Sequence, residues 1–219
     1  MPTAGFTLVE LLVGVTLAAA VMAAVLSSYI YLARSLGRLA NQQTLETESR
    51  RTLAYFAKDV QSASAISGTP GASTVALIVP TAAGTNTVTY YYNANAYDAA
   101  TPTDDVTVNG VTVPIQRQAL TRCVYDGTSV SSLTLLRNIT DNDDSTTSDL
   151  FIRYFDGSGN PYDNGSTPYT TVNTGALGGI KLLSLQFSMQ LGAAGNGTQT
   201  LVYPVASGRQ VMRNKAVLR

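Results

Sequence analysis

From Leu11 to Ala33 the chain carries no charged residue, and no other feature restricts its fold so severely. As a helix that run is long enough to cross a bilayer, which takes about 20 predominantly apolar residues. A secretory signal peptide is one alternative. It would open on a basic segment and close at a small-x-small cut before a polar mature chain, and neither is found here. A buried core helix is the other. It would need apolar neighbours on every side, which a chain of 219 residues has little room to supply. The expectation is a membrane helix.

Glu10 stands at the start of this stretch. A carboxylate costs up to about 3 kcal/mol at the centre of a membrane helix and less near the interface, and an acid in that setting marks a functional position by default. No basic side chain lies within two helical turns of it. Its counter-charge must therefore come from another chain or from a newly made amine; otherwise Glu10 is a headgroup-level acid with no further role.

Composition narrows the function classes. Charged residues make up only 13%, about half the share of an ordinary soluble domain, while 45% apolar residues suffice for a core. Lys+Arg and Asp+Glu both number 14, which gives no general attraction to nucleic acid. The charge is uneven: ten Asp and four Arg lie between Asp98 and Asp163, then five basic residues and no acid from Asn164 onward. That asymmetry could orient neighbours in an assembly, or it is scattered solvated charge. Histidine is absent, which removes Ser-His-Asp and Cys-His nucleophile pairs and His-containing metal sites. Cys123 is the single cysteine, so it has no partner for an intrachain disulfide or a CxxC motif. The strand-like run from Leu120 to Val124 makes it a buried free thiol.

Gly5-Phe6-Thr7-Leu8-Val9-Glu10, followed by the long apolar run, resembles the prepilin motif of the type IV pilin superfamily, which includes the pseudopilins of type II secretion. The resemblance implies that prepilin peptidase cuts between Gly5 and Phe6 and methylates the new amine of Phe6. It also implies that Glu10 pairs with the Phe6 amine of an adjacent subunit during assembly. A cation made by proteolysis would then be the counter-charge that the helix itself lacks, and such a pair is strong in a low dielectric. Two features depart from the family pattern. Met1 to Ala4 carry no Lys or Arg, so the start of translation could lie upstream. Taken alone, Arg34 and Arg38 beyond the span would place the N-terminus outside, but the cleavage motif implies a cytoplasmic N-terminus. Ser27 occupies the place where major pilins often carry Pro, and no Pro occurs from Phe6 to Thr69, so a straighter helix is expected.

Beyond the span, Leu32, Leu36 and Leu39 recur at helical spacing, and Leu53, Phe56 and Val60 resume it. Polar residues from Arg38 to Asp59 form a wet face, and Gly68, Pro70 and Gly71 stop the helix. The whole helix would run about 60 residues, on the order of 90 Å. A coiled coil is the rival explanation, but Gln43, Thr44 and Thr47 interrupt its stripe, so packing on the chain's own second half is favoured. From Ser73 the pattern turns to strands: Val75–Val79, Thr87–Tyr92, Leu133–Ile139 and Leu150–Phe155. Val106-Thr107-Val108, Asn109-Gly110, Val111-Thr112-Val113 is a hairpin pattern. Leu183, Leu185, Phe187, Met189 and Leu191 alternate with Ser184, Gln186, Ser188 and Gln190, which predicts a sheet with one buried and one wet face. Asp126-Gly127, Asp156-Gly157, Asn164-Gly165 and Asn196-Gly197 mark turns.

The expected fold is α+β and pilin-like: a long N-terminal helix packed on a C-terminal antiparallel sheet. Its expected parts are a leader (1–5), a transmembrane and assembly helix (6–33), an amphipathic periplasmic helix (34–67) and a β-rich region (73–219) forming one unit with 34–67. Residues 50–60, Phe151–Gly157 and Val211–Asn214 look similar to segments of W-class minor pilins and J-class minor pseudopilins. Retention of Glu10 argues against the tip pseudopilin class, and the lone Cys123 departs from the C-terminal disulfide of major pilins.

The resemblance implies a structural subunit, not an enzyme, that initiates or caps a type IV pilus or type II secretion pseudopilus. Its implied partners are prepilin peptidase, other pilin subunits, the inner-membrane assembly platform and membrane lipid. The implied location is the bacterial inner membrane, with the C-terminal domain periplasmic, and then the filament. A membrane-anchored or pilus-presented adhesin is the alternative. No cofactor is implied. Calcium, which some pseudopilins bind, would fall to Asp141, Asp143 and Asp144, but their spacing lacks the Gly and distal Glu of an EF-hand and is that of a solvated turn.

Overall fold

The computed structural model describes residues 7–68, 70–71, 73–82, 84–95, 99–137, 139, 150–161, 179–191 and 201–213. Among the described residues one helix, α1 (Leu8–Ser62), is followed by eleven strands, an α+β arrangement as expected. The chain divides into two compact units, Met1–Thr44 and Leu45–Arg219. In the first unit the described side chains are exposed, apart from a half-buried Ser35.

In the second unit burial on α1 begins at Leu45. Leu45, Ser49, Thr52, Phe56 and Asp59 are buried, a spacing of alternating four and three residues that keeps one stripe facing a core, and Val60 beside Asp59 is buried as well. The stripe's hydroxyls bond back into the helix: Ser49 Oγ donates to the Glu46 carbonyl at 2.9 Å and Thr52 Oγ1 to that of Glu48 at 2.8 Å. Leu36 and Leu39, expected on the same stripe, are 57% and 53% exposed.

The helix ends at Ser62, short of the expected stop at residue 67. Ala63 N–H closes the last turn on the Val60 carbonyl at 3.2 Å, and Ser64 N–H already donates to the Ile78 carbonyl at 2.8 Å. That bond draws the chain into β1 (Ala65–Ser67), antiparallel to β2 (Thr74–Thr81).

β3 (Gly84–Asn93), β6 (Ala119–Tyr125) and β7 (Val130–Leu136) complete a five-stranded antiparallel sheet in the order β1-β2-β3-β6-β7. β4 (Thr103–Val108) and β5 (Val111–Gln116) form the expected hairpin. Asn109 and Gly110 at its tip have φ of 49° and 83°, the pair of positive values that makes Asn-Gly the favoured type I′ turn. In a second sheet β9 (Leu182–Leu191) lies between β8 (Leu150–Phe155) on one side and β10 (Leu201–Ala206) with β11 (Gln210–Val211) on the other. An isolated antiparallel bridge from Ile139 to Met189 joins the two sheets.

Between α1 and the sheets lies one core that includes Phe56 and Val60 of α1, Leu77, Tyr90 and Leu120 of the first sheet, and Ile152, Leu183 and Leu185 of the second. On the opposite face of β6, Cys123 is fully buried and unbridged, packed with Val108 and Ile115 of the hairpin. That apolar setting pushes its thiol above the usual range and makes it inert. Asp104 anchors the hairpin, receiving two-pronged hydrogen bonds from Arg117 at 2.7–3.1 Å and amide N–H bonds from Asn93 and Asn95 at 2.9 and 2.8 Å. The Arg117 bonds first, then the two asparagines, hold its carboxyl well below the ordinary range. The depressed value means this contribution is present above the ordinary carboxyl range and is lost as pH falls below it.

Two polar positions differ from the expected wet faces. Ser184 is 8% exposed; Arg153 stands directly across from it on β8, and beside so long a neighbour a serine keeps little surface of its own. Gln186 is exposed as expected. Asp59, expected on the wet side of α1, is buried. Its carboxylate receives Arg122 Nε at 2.6 Å and Nη2 at 2.9 Å, and the Tyr90 hydroxyl at 2.7 Å. Burial and then the adjoining Asp59 charge push the Tyr90 hydroxyl far above its usual range, so it stays a donor.

These contacts set an order of stability effects. Asp59→Asn leaves the Arg122 guanidinium without its counter-charge and should cost about 3 kcal/mol, the low end for a buried pair, because 18% of the Arg122 side chain stays exposed. Glu46→Gln breaks a pair whose side chains are 77% and 47% exposed and should cost under about 0.5 kcal/mol. Urea unfolding checks both. By the same measurement, Leu185→Asp should destabilise by several kcal/mol, and Gln186→Asp by far less.

Candidate functional site: the N-terminal motif helix

The first turn of α1 closes on itself through two side chains. Thr7 precedes the helix, and its Oγ1 accepts from Glu10 N–H at 3.3 Å. Glu10 Oε2 accepts from both the N–H and the hydroxyl of Thr7, each at 2.9 Å, and Leu11 N–H reaches the Thr7 carbonyl at 3.2 Å. This is a reciprocal capping box, in which the N-cap hydroxyl and the acid three residues on satisfy each other's backbone N–H. Sequence reasoning singles out Glu10 by its charge but misses this role; the signal is present as the Thr-x-x-Glu spacing. The cap matters most beside lipid, where an unsatisfied N–H has no water to turn to.

From Leu8 onward the helix is apolar on every side. Leu8 is 81% exposed, Val9 68%, Leu11 64%, Leu17 63% and Val21 63%, positions that lie all round the axis. α1 is the one helix among the described residues that is long and apolar enough to cross a membrane. Two of its hydroxyls are satisfied internally: Thr16 Oγ1 donates to the Val13 carbonyl at 2.9 Å and Ser28 Oγ to that of Ala24 at 3.0 Å, which lowers the cost of placing them in hydrocarbon. No break interrupts the helix from Leu8 to Ser62, consistent with the absence of Pro.

Residues 1–26 match the family described as the prokaryotic N-terminal methylation motif. The chain carries a pilin-type methylation motif. The match supports the type IV pilin superfamily for this N-terminal segment and indicates a pilin-like prepilin peptidase substrate. With the apolar helix, the motif fits a membrane-anchored pilin. No curated protein and no solved structure matches the chain.

Of the processing, assembly and metal-site residues expected from sequence, only Glu10 lies in the described structure. Gly5, Phe6, Asp141, Asp143 and Asp144 lie outside the described residues. Among the described residues no group of three or more His, Cys, Asp or Glu is placed to hold a metal ion.

Capping makes a claim on Glu10 that differs from charge. Glu10→Gln keeps a side-chain carbonyl for the Thr7 N–H and should leave the first turn intact, since Gln serves equally at this position of a capping box. Thr7→Ala removes the N-cap hydroxyl and should cost about 1 kcal/mol of local helix stability. Amide hydrogen exchange at Leu8–Leu11 reads both, with faster exchange expected only for Thr7→Ala.

Proposed function

We propose that this chain is a minor pilin or pseudopilin, a structural subunit of a type IV pilus or a type II secretion pseudopilus. Prepilin peptidase cuts it between Gly5 and Phe6 on the cytoplasmic face of the inner membrane and methylates the Phe6 amine. The helix holds the subunit in the membrane, with the β-rich unit on the periplasmic side, until the assembly platform passes it into the filament. One observation carries this reading: the methylation motif runs directly into a helix that is apolar on every face and exposed on every face. A helix of that kind needs lipid or other helices around it, and the processed subunit of a helical-core filament meets both in turn. The likeness of residues 50–60 to W-class and J-class subunits supports a low-abundance role at the start or tip of the filament.

In this reading Glu10 has two successive partners. Before assembly it caps its own helix through Thr7. During assembly its charge neutralises the Phe6 amine of a neighbour, which would otherwise be buried without a counter-charge. The family is structural, and the lack of histidine removes the commonest general base.

Intact-mass measurement of membrane-extracted protein should find a mature chain that begins at methylated Phe6, and Gly5→Arg should leave full-length precursor. A chain that keeps Met1 to Gly5 in a peptidase-positive host would end the proposal. Glu10→Gln separates the two roles of the acid. Insertion, cleavage and the helical cap should survive, while recovery of the subunit in sheared filaments should fall. Glu10→Asp, with the charge but a shorter reach, should be intermediate. Normal incorporation of Glu10→Gln would show that the charge pair is not needed.

A further inference from the structure

The first unit holds a second marked position, at the far end of the apolar stretch. Leu8–Ser28 contains 21 residues, about 31 Å of helix, against a hydrocarbon core of about 30 Å. The residues that follow at once are Tyr29 and Tyr31, then Arg34, all exposed, the tyrosines at 69% and 78%. Tyrosines concentrate where hydrocarbon meets headgroups, because the ring is apolar and the hydroxyl is not.

Their spacing bears on what surrounds them. Residues two apart on a helix point about 200° apart, so Tyr29 and Tyr31 face opposite sides. A single protein partner would be met by residues three or four apart. A pair on opposite sides suits a surrounding that encircles the helix. Charge agrees: no acid occurs between Glu10 and Glu46, so Arg34 has no carboxylate within its own stretch of helix, and lipid phosphates complement it.

We infer that Tyr29, Tyr31 and Arg34 form an interfacial belt that binds phospholipid headgroups and fixes the depth of the helix before assembly. This rests on the membrane-anchored reading above and adds a register to it. Residues Leu8 to Ser28 fill the hydrocarbon, and Glu10 lies within the first turn at the opposite boundary, not at mid-membrane. The capped first turn and the tyrosine belt are then the two ends of one span. A carboxylate held near the interface costs less than one at the centre.

The chain has no tryptophan, so a single substitution gives a clean depth reporter. Full-length protein carrying Tyr29→Trp, Tyr31→Trp or Leu17→Trp would be reconstituted into phosphatidylcholine–phosphatidylglycerol vesicles. The vesicles would contain a nitroxide label either near the headgroup or deep in the acyl chain. Both tyrosine variants should lose more fluorescence to the shallow label, and Leu17→Trp more to the deep one. If either tyrosine variant loses more to the deep label, the register is wrong and the inference falls, while the membrane reading stands. If Leu17→Trp is quenched by the deep label but the tyrosine variants respond to neither, protein covers that position and the inference also falls. If no variant is quenched by any label, the membrane reading itself falls.

Discussion

A carboxylate buried between a helix and a sheet is unfavourable unless its charge and its lone pairs are all answered, and the second unit is arranged round one such group. Asp59 of α1 is gripped by both arms of the Arg122 guanidinium from β6 and by the Tyr90 hydroxyl from β3. The same Tyr90 ring meets Phe56 edge-on, with centroids 5.3 Å apart, a geometry worth about 0.5–1.5 kcal/mol beyond simple burial. Tyr55, one turn before Asp59, lies 5.5 Å from the Arg122 guanidinium carbon. Apolar packing alone would tolerate small slips of the helix along the sheet. A bidentate pair would not, because sliding the helix by one residue strands two charges. The clamp thus fixes which turn of α1 faces which strands.

The first unit poses the opposite problem. From Leu11 to Ala33 its helix is uncharged and its side chains are exposed, which calls for an apolar surrounding. The methylation motif at its start and the satisfied hydroxyls of Thr16 and Ser28 suit lipid. Glu10 is the polar group this arrangement must manage. Because its carboxylate already accepts two hydrogen bonds from Thr7, it does not enter the membrane boundary as a bare charge. The same geometry also completes the first turn of the helix.

Local patterning makes much of this legible in the amino-acid sequence. The uncharged run marks the helix, Asn109-Gly110 marks the hairpin, and strict alternation marks β9, since each signal depends only on residues near one another along the chain. Leu183, Leu185, Phe187 and Met189 are buried as that alternation requires. The misreadings fall where a distant partner decides. Asp59 reads as solvated because acids on helices usually are, and its partner Arg122 is 63 residues away. Ser184 reads as wet because it alternates with leucines, yet Arg153 shares its face. Leu36 and Leu39 read as core because they are leucines at helical spacing, yet the stripe that packs begins at Leu45.

The sequence by itself determined that this chain has a membrane-length apolar helix, a motif for processing at its start and an antiparallel β-rich remainder. Those properties follow from local polarity, and local polarity is written residue by residue. Only the tertiary structure decided where the packed part of the helix begins, which polar side chains are buried and what holds the helix against the sheet. The reason is that the cost of burying a polar group depends on the partner it finds, and the fold, not sequence proximity, brings Asp59, Tyr90 and Arg122 together.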